Sequence, residues 1–271
     1  MKNYGVRFNG KHSFNDFGLV MFSKNRPIFP EPKIIVDEVA GTDGDYDFSE
    51  CNPEGRAKYK PRPHDIEFSL RERDPAMVRI KAHEIASWLA CGEQQLIYDD
   101  ETAVFYLARV ANKLDIENQI LSVKRFTVQW KCRPYALSVV KSDEQIQFGQ
   151  GLMLGYGYKL DMVPTVYVIN EAKTLNVYNP AMHVKPLIRI TGSLTNISFS
   201  ANGKTLTYGA ALASETVEID CSKQHAVKGA TNVNNNITGD YLEFANGDNT
   251  LQISGTGLNC TVSLIFRYLY L

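Results

Sequence analysis

The feature that most constrains this chain is a side-chain period of two. In "HDIEFSLRE", Ile66, Phe68 and Leu70 alternate with Asp65, Glu67, Ser69 and Arg71; in "KRFTVQWKC", Phe126, Val128 and Trp130 alternate with Thr127, Gln129 and Lys131. A strand points successive side chains to opposite faces, so such a pattern means half-buried strands in antiparallel sheets. One segment departs from it. "DPAMVRIKAHEIASWLACG" predicts a helix over residues 75–91, with Asp74 as N-cap, Pro75 at the first helical position and Gly92 just past the end. Met77, Ile80 and Trp88 fall on one side at helical spacing and are expected to pack against the neighbouring sheet.

The character of the chain changes after Pro134-Tyr135. Both tryptophans and the long helical pattern lie before this point, and Asn, Gly, Thr and Ser dominate after it. Asn202-Gly203 and Asn246-Gly247 are strong hairpin cues. "TVEID", "YLEF" and "LQIS" are short and alternating, and "CTVSLIFRYLYL" reads as one closing strand. The expected organisation is mainly β, in two domains: residues 1–135, a β-sandwich with one α-helix and a β-hairpin, and residues 136–271, an all-β sandwich.

With 29 Lys plus Arg against 30 Asp plus Glu, the net charge is −1. That balance argues against a dedicated nucleic-acid binder, which carries a basic excess. No stretch approaches the ~20 apolar residues of a membrane span. "MKNYGVRFNGKHS" lacks the apolar core of a signal peptide, so a reducing cytoplasm is the expected place of synthesis. The five cysteines are scattered, with no C-x-x-C pair, and are expected to be buried free thiols.

The chain offers little chemistry. G-x-S-x-G and the P-loop are absent. In "GQGLMLGYGYK" the third glycine of a dinucleotide fingerprint would fall at Leu154, and no helix pattern follows. His12, His64, His83, His183 and His225 form no ligand pair, and H-E-x-x-H fails at Ser87. Asp99-Asp100-Glu101 reads as a turn between strands. A calcium loop starting at Asp43 would place Asp45 and Asp47 at its third and fifth positions and Glu54 at the twelfth, but Phe48 stands where the sharp turn needs Gly. A hairpin turn using Gly41 and Gly44 is the better reading. No catalytic, cofactor-binding or metal-ligating residue is therefore assigned, and no enzyme activity.

The N-terminal segments together carry a resemblance. "FNGKHSFNDFGLVM", "RPIFPEP" and "VDEVAGTDGDYDFS", followed by "HDIEFSLRERD" running into the helix, resemble the ring-forming domain of the distal tail protein (Dit) family of long-tailed, non-contractile phages and prophages. In that family the segment matched by Val39, Gly41, Asp43, Gly44, Tyr46, Asp47 and Phe48 is a hairpin turn. Members often carry a basic residue where this chain has Thr42. "IRITGSLTNISFSANGKTL", "ETVEIDCSKQHAV" and "FANGDNTLQISG" are similar to the family's galectin-like sandwich.

The resemblance implies a structural virion component at the tail tip, assembled in the host bacterial cytoplasm. It implies a homo-hexameric ring joining the major tail tube protein to the tail-associated tip protein. Outward C-terminal sandwiches would hold receptor-binding or baseplate proteins, and DNA would pass through the channel without specific binding. The alternative reading is a carbohydrate-binding adhesion protein of the sandwich class. The lack of Trp in the second half weakens the case for a sugar-stacking platform there.

Overall fold

The computed structural model describes residues 5–41, 43–70, 72, 74–113, 125–146, 154–159 and 161–271. Chain contacts divide it into two compact units, residues 1–136 with Leu271, and residues 137–270. The protein is mostly β.

The first unit contains β1 (Val6–Phe8), β2 (Lys11–His12), α1 (Ser13–Phe17), β3 (Leu19–Asn25), β4 (Val36–Asp37), β5 (Tyr46–Asp47), β6 (Arg62–Leu70), α2 (Pro75–Leu89), β7 (Gln94–Tyr98), β8 (Glu101–Val110) and the start of β9 (Arg125–Lys141). Its main sheet runs β2-β1-β7-β8-β9-β6-β3, and β4-β5 is a separate ribbon. The expected alternation is met. Ile66 pairs with Val128 and Phe68 with Phe126, all four buried, while Thr127, Gln129 and Lys131 face solvent. The same phase runs back through His64 and Arg62, which it places on the core side.

The helix starts as the sequence dictates, with the Asp74 carboxylate accepting from the Ala76 N–H at 3.1 Å. Two details differ. The helix ends at Leu89, with Ala90 rather than Gly92 adjoining its end. Its buried side is Val78, Ile85, Trp88 and Leu89, whereas Met77 and Ile80 face outward. The reason is Trp88, which donates Nε1–H to the Phe8 carbonyl at 2.7 Å and stacks on Phe17 at 4.7 Å. That anchor fixes the helix rotation, and Val78 and Ile85 share its side.

α1 was not foreseen. Its cap is His12, whose Nδ1 accepts from the Phe14 and Asn15 N–H groups at 3.1 Å each. Nδ1 is thus an unprotonated acceptor, and Nε2–H points to Asp99 at 3.0 Å. Asp99 and Asp100 do form the turn between β7 and β8.

The second unit holds β10 (Val166–Ile169), β11 (Lys173–Asn179), β12 (Leu187–Leu194), β13 (Asn196–Ala201), β14 (Lys204–Tyr208), β15 (Leu212–Asp220), β16 (His225–Lys228), β17 (Thr231–Asn232), β18 (Ile237–Gly239), β19 (Gly247–Thr256), β20 (Asn259–Ile265) and β21 (Arg267–Tyr270). All but β21 form one sheet of order β10-β20-β12-β15-β16-β17 and another of order β11-β19-β13-β14-β18; β21 pairs with β9. Ile188, Ile190, Val217, Val262 and Leu264 from the first share one core with Val177, Phe199, Leu206, Leu251 and Ile253 from the second. This is a β-sandwich.

Three sequence readings need correction here. Asn202-Gly203 closes the β13–β14 hairpin, with Ala201 opposite Lys204. Asn246-Gly247 closes none, because Gly247 opens β19, whose partners are β11 and β13. "YLEF" is no strand; Phe244 makes an isolated bridge to Val184, with backbone bonds of 2.9 and 2.8 Å. "CTVSLIFRYLYL" is two strands, interrupted at Phe266, whose N–H and carbonyl are both taken by Ser142.

Of the cysteines, Cys132, Cys221 and Cys260 are buried, as expected, but Cys51 is exposed and Cys91 half-buried. Thr42, and the glycines at 149 and 151 of the glycine-rich stretch, lie outside the described residues; Leu154–Tyr156 is a single 3-10 turn.

Candidate assembly surface

Between β3 and β6 the chain leaves the main sheet as a two-stranded ribbon. Val36 pairs with Asp47 and Asp37 with Tyr46. The Phe48 N–H donates to the Ile35 carbonyl at 2.8 Å, and the Ile35 N–H to Ser49 Oγ at 2.9 Å. Further down, Lys33 N–H meets the Lys58 carbonyl and Lys60 N–H the Glu31 carbonyl, both at 2.7 Å. Gly41 and Gly44 have φ of 90° and 78°, values a side chain would oppose, so the turn depends on both.

The acidic segment is therefore a hairpin loop. Asp47 accepts from the Ser49 N–H at 2.8 Å, and the Ser49 side chain and backbone hold its carboxyl below the ordinary range. Among the described residues, no three His, Cys, Asp or Glu side chains gather in a way that could hold a metal ion.

The ribbon is decorated with apolar side chains in solvent. Ile28 is 80% exposed, Ile34 69% and Phe29 59%; Ile35, Val36, Val39, Tyr46 and Phe48 are each about half exposed. A monomeric protein seldom leaves so many large apolar groups together on its surface, and such groupings mark interaction sites. Its outer part is acidic: residues 34–55 carry Asp37, Glu38, Asp43, Asp45, Asp47, Glu50 and Glu54 and no Lys or Arg, while Lys33, Arg56, Lys58 and Lys60 stand at its base, Lys58 pairing with Glu54 at 3.0 Å.

A buried cation anchors the ribbon's base. Arg62, 1% exposed, donates Nε–H to the Pro134 carbonyl and Nη1–H to the Ile28 carbonyl, each at 2.6 Å. Its guanidinium lies 5.6 Å from the Tyr106 ring centre. Burial lowers its pKa, yet a guanidinium keeps its proton. Beside it His64, fully buried, meets the Tyr98 hydroxyl through Nδ1 at 3.0 Å. Burial first, then Arg26 and Arg62, push the His64 pKa down to about 3, so the ring is neutral. Arg26 lies over Tyr98 at 4.7 Å and pairs with Glu101, and Lys24 pairs with Asp100.

No site residue was assigned from the sequence, and this surface went unnoticed there. A signal existed: Pro27, Pro30 and Pro32 deny "RPIFPEPKIIV" a place inside a sheet, so its isoleucines had no core to enter.

The fold and surface define a class. Residues 15–132, which include the whole ribbon, match the phage tail protein RIFT-related domain, a family of phage tail structural proteins and not of enzymes. More particularly, the fold is that of a siphophage distal tail protein. The chain is similar over 100% of its length, and 100% of the other's, to the crystal structure of SPP1 Dit, with a TM-score of 0.69 and 12% identity. That protein is described as a paradigm of the hub adsorption apparatus in phages infecting Gram-positive bacteria. The resemblance read from the N-terminal motifs is borne out. No curated protein matches the sequence.

Proposed function

We propose that this tail protein is the hub that joins the tail tube to the tail tip of a long-tailed, non-contractile phage or prophage, acting as a homo-hexameric ring. The observation that carries the reading is the exposed acidic ribbon inside the matched tail domain. A ring needs a heterologous interface, one patch docking on a different patch of the next copy, and a ribbon leaving the sheet supplies such a patch. On this reading the N-terminal domain, residues 1–135, makes the ring. The C-terminal domain, residues 136–271, is a galectin-like sandwich that projects from it and holds receptor-binding or baseplate proteins. The major tail tube protein meets one face of the ring and the tail-associated tip protein the other. DNA passes through the channel, and assembly takes place in the host cytoplasm.

The test is the full-length chain at high concentration, by light scattering and negative-stain imaging, alone and with the tube and tip proteins, because mass action favours monomers when partners are missing. Hexameric rings support the reading. Single copies under all three conditions refute it. Fragments 1–135 and 136–271 then divide the labour: rings from the second fragment alone would reverse the assignment.

A further inference from the structure

The base of the ribbon is tied to one place on β9. The outgoing limb leaves β3 through Arg26, Pro27 and Ile28, and the returning limb enters β6 at Arg62. Backbone bonds between Lys33 and Lys58, and between Lys60 and Glu31, join the two limbs. Arg62 then joins them to β9. Its Nη1–H groups reach the Ile28 carbonyl at 2.6 Å and the Pro27 carbonyl at 3.4 Å, and its Nε–H the Pro134 carbonyl at 2.6 Å. A second tie runs through rings. Phe29 stands edge-on to Tyr59 at 5.6 Å, and Tyr59 edge-on to Tyr135 at 6.0 Å. Both ties end on adjacent residues, Pro134 and Tyr135. The first unit reaches Ala136 along β9, and the same strand continues to Lys141 in the second.

We infer that Arg62 and the Phe29–Tyr59–Tyr135 ring chain form a latch coupling the ribbon to β9, so that a partner displacing the ribbon alters the strand leading out of the first unit. Its use rests on the reading of the ribbon as a contact surface; the latch itself is a property of the single chain. One cation serves both segments. Arg62 is buried and keeps its proton. If either segment moves off, a buried guanidinium loses an acceptor, which costs more than losing an exposed pair. The latch therefore opens as a whole rather than bond by bond. Stiffness is the second argument. Pro27, Pro30 and Pro32 fix φ along the outgoing limb, so a displacement at Ile34 is carried to Ile28 instead of being absorbed between them. Position is the third. On the β6 side the ladder ends with Arg62 opposite Cys132, so the Arg62 fork and the Tyr59 ring hold the next residues of β9 there.

The experiment is hydrogen–deuterium exchange read by mass spectrometry, on the full-length chain at a concentration where light scattering finds single copies. Failure here leaves the ring reading standing, and failure to form rings leaves this test untouched. Arg62→Lys keeps the charge and loses the fork. It should speed exchange about tenfold or more in residues 26–33 and 131–136 together, with Val6–Phe8 of β1 unchanged. Phe29→Ala, a change on the exposed limb, should also speed exchange in residues 131–136, and that effect should vanish once Tyr59→Leu has cut the ring chain. Faster exchange confined to residues 26–33 in both variants overturns the inference. If Arg62→Lys loosens β1 as well, its effect is global and the Phe29→Ala and Tyr59→Leu pair decides alone. Additive effects of that pair on residues 131–136 overturn the coupling; an effect of Phe29→Ala that disappears beside Tyr59→Leu upholds it.

Discussion

The two units handle polar and apolar groups in opposite ways. The first buries a guanidinium and an imidazole, Arg62 and His64, and leaves Arg62 Nη2, His64 Nε2 and Trp130 Nε1 enclosed without a hydrogen-bond partner. It also carries the apolar ribbon in solvent. The second unit buries mainly amides and hydroxyls. Its Asn249 donates to the carbonyls of Val177, Ala245 and Gly247 and accepts from the Ala245 N–H and the Asn202 amide. Among the described residues its buried carboxylate is Glu243, which pairs with Lys204 at 3.2 Å. The second unit too encloses atoms without a partner, Asp143 Oδ1 and the Tyr158 hydroxyl, so the contrast lies in what each unit buries and shows rather than in pairing alone. A unit that hides charge and shows isoleucine is shaped for contacts outside itself.

The largest effects should separate the units by how each is held. Trp88→Ala removes an anchor that touches Phe8, Phe17 and the β1 backbone, and should cost about 3–5 kcal/mol. Both tryptophans lie in the first unit, so the fluorescence of the remaining Trp130 reports that unit alone. Unfolding followed this way should shift strongly; an unchanged midpoint would mean the helix is not docked through Trp88.

The second unit is held instead by close backbone approach. Gly239 sits at φ 87°, and a Cβ there would lie 2.1 Å from the Thr205 carbonyl oxygen. Gly239→Ala should cost about 2–4 kcal/mol from strain and displacement of β14. The loss should appear in circular dichroism while the tryptophan signal stays put. If both signals move together, the contrast between the units is wrong.

Acid should sharpen the contrast. His64 has a folded pKa of about 3 against 6.5 when free. Above 6.5 it is neutral in both states and contributes no pH dependence. Below 6.5 the unfolded chain takes up a proton that the folded one refuses, so stability falls by about 1.4 kcal/mol per pH unit until the folded value is reached. Between about pH 6.5 and about pH 4.5 the first unit should lose about 2–3 kcal/mol. Carboxylates with lowered pKa, such as Glu93, add their own loss only below their ordinary value of 4.5. His64→Gln, which keeps a partner for Tyr98, should flatten the slope; an equally steep slope in that variant would exonerate His64.

How much of this was legible in the sequence follows the range of the signals. The strands of β6 and β9 could be read because period two is local and uninterrupted there. The Asp74–Pro75 helix start was legible for the same reason. The rotation of α2 was not, because the apolar residues Met77, Val78, Ile80 and Ile85 admit more than one face, and the choice came from Phe8 and Phe17, far off in sequence. α1 was hidden by its five residues and by a histidine cap, which is outside the usual Ser, Thr, Asp and Asn. The strand break at Phe266 depends on Ser142, 124 residues away. The ribbon was missed because the hairpin was identified from its turn, while its exposure is a property of the surrounding fold.

The smallest expected effect on stability tests the ribbon most directly. Phe48→Ser removes an aromatic ring that is 46% exposed and, in the single chain, lies on the solvent side of the ribbon. Substitutions at exposed positions away from caps, glycines and buried networks usually fall within about 0.5 kcal/mol. The hydrogen bond that holds position 48 runs from its backbone N–H to the Ile35 carbonyl and survives the change. Unfolding of the single chain should therefore be nearly unaltered by either probe. Assembly should not be. If Phe48 is an anchor, its loss removes a hot-spot contact of about 2 kcal/mol or more per interface. Every copy in a closed ring makes that contact twice, once as donor of the ribbon and once as its host, so the deficit accumulates around the cycle. Light scattering across a concentration series should find the variant monomeric where the parent chain is not. A variant that assembles at parental concentration would strip the ribbon of its role, and the exposed apolar groups of the first unit would need another explanation.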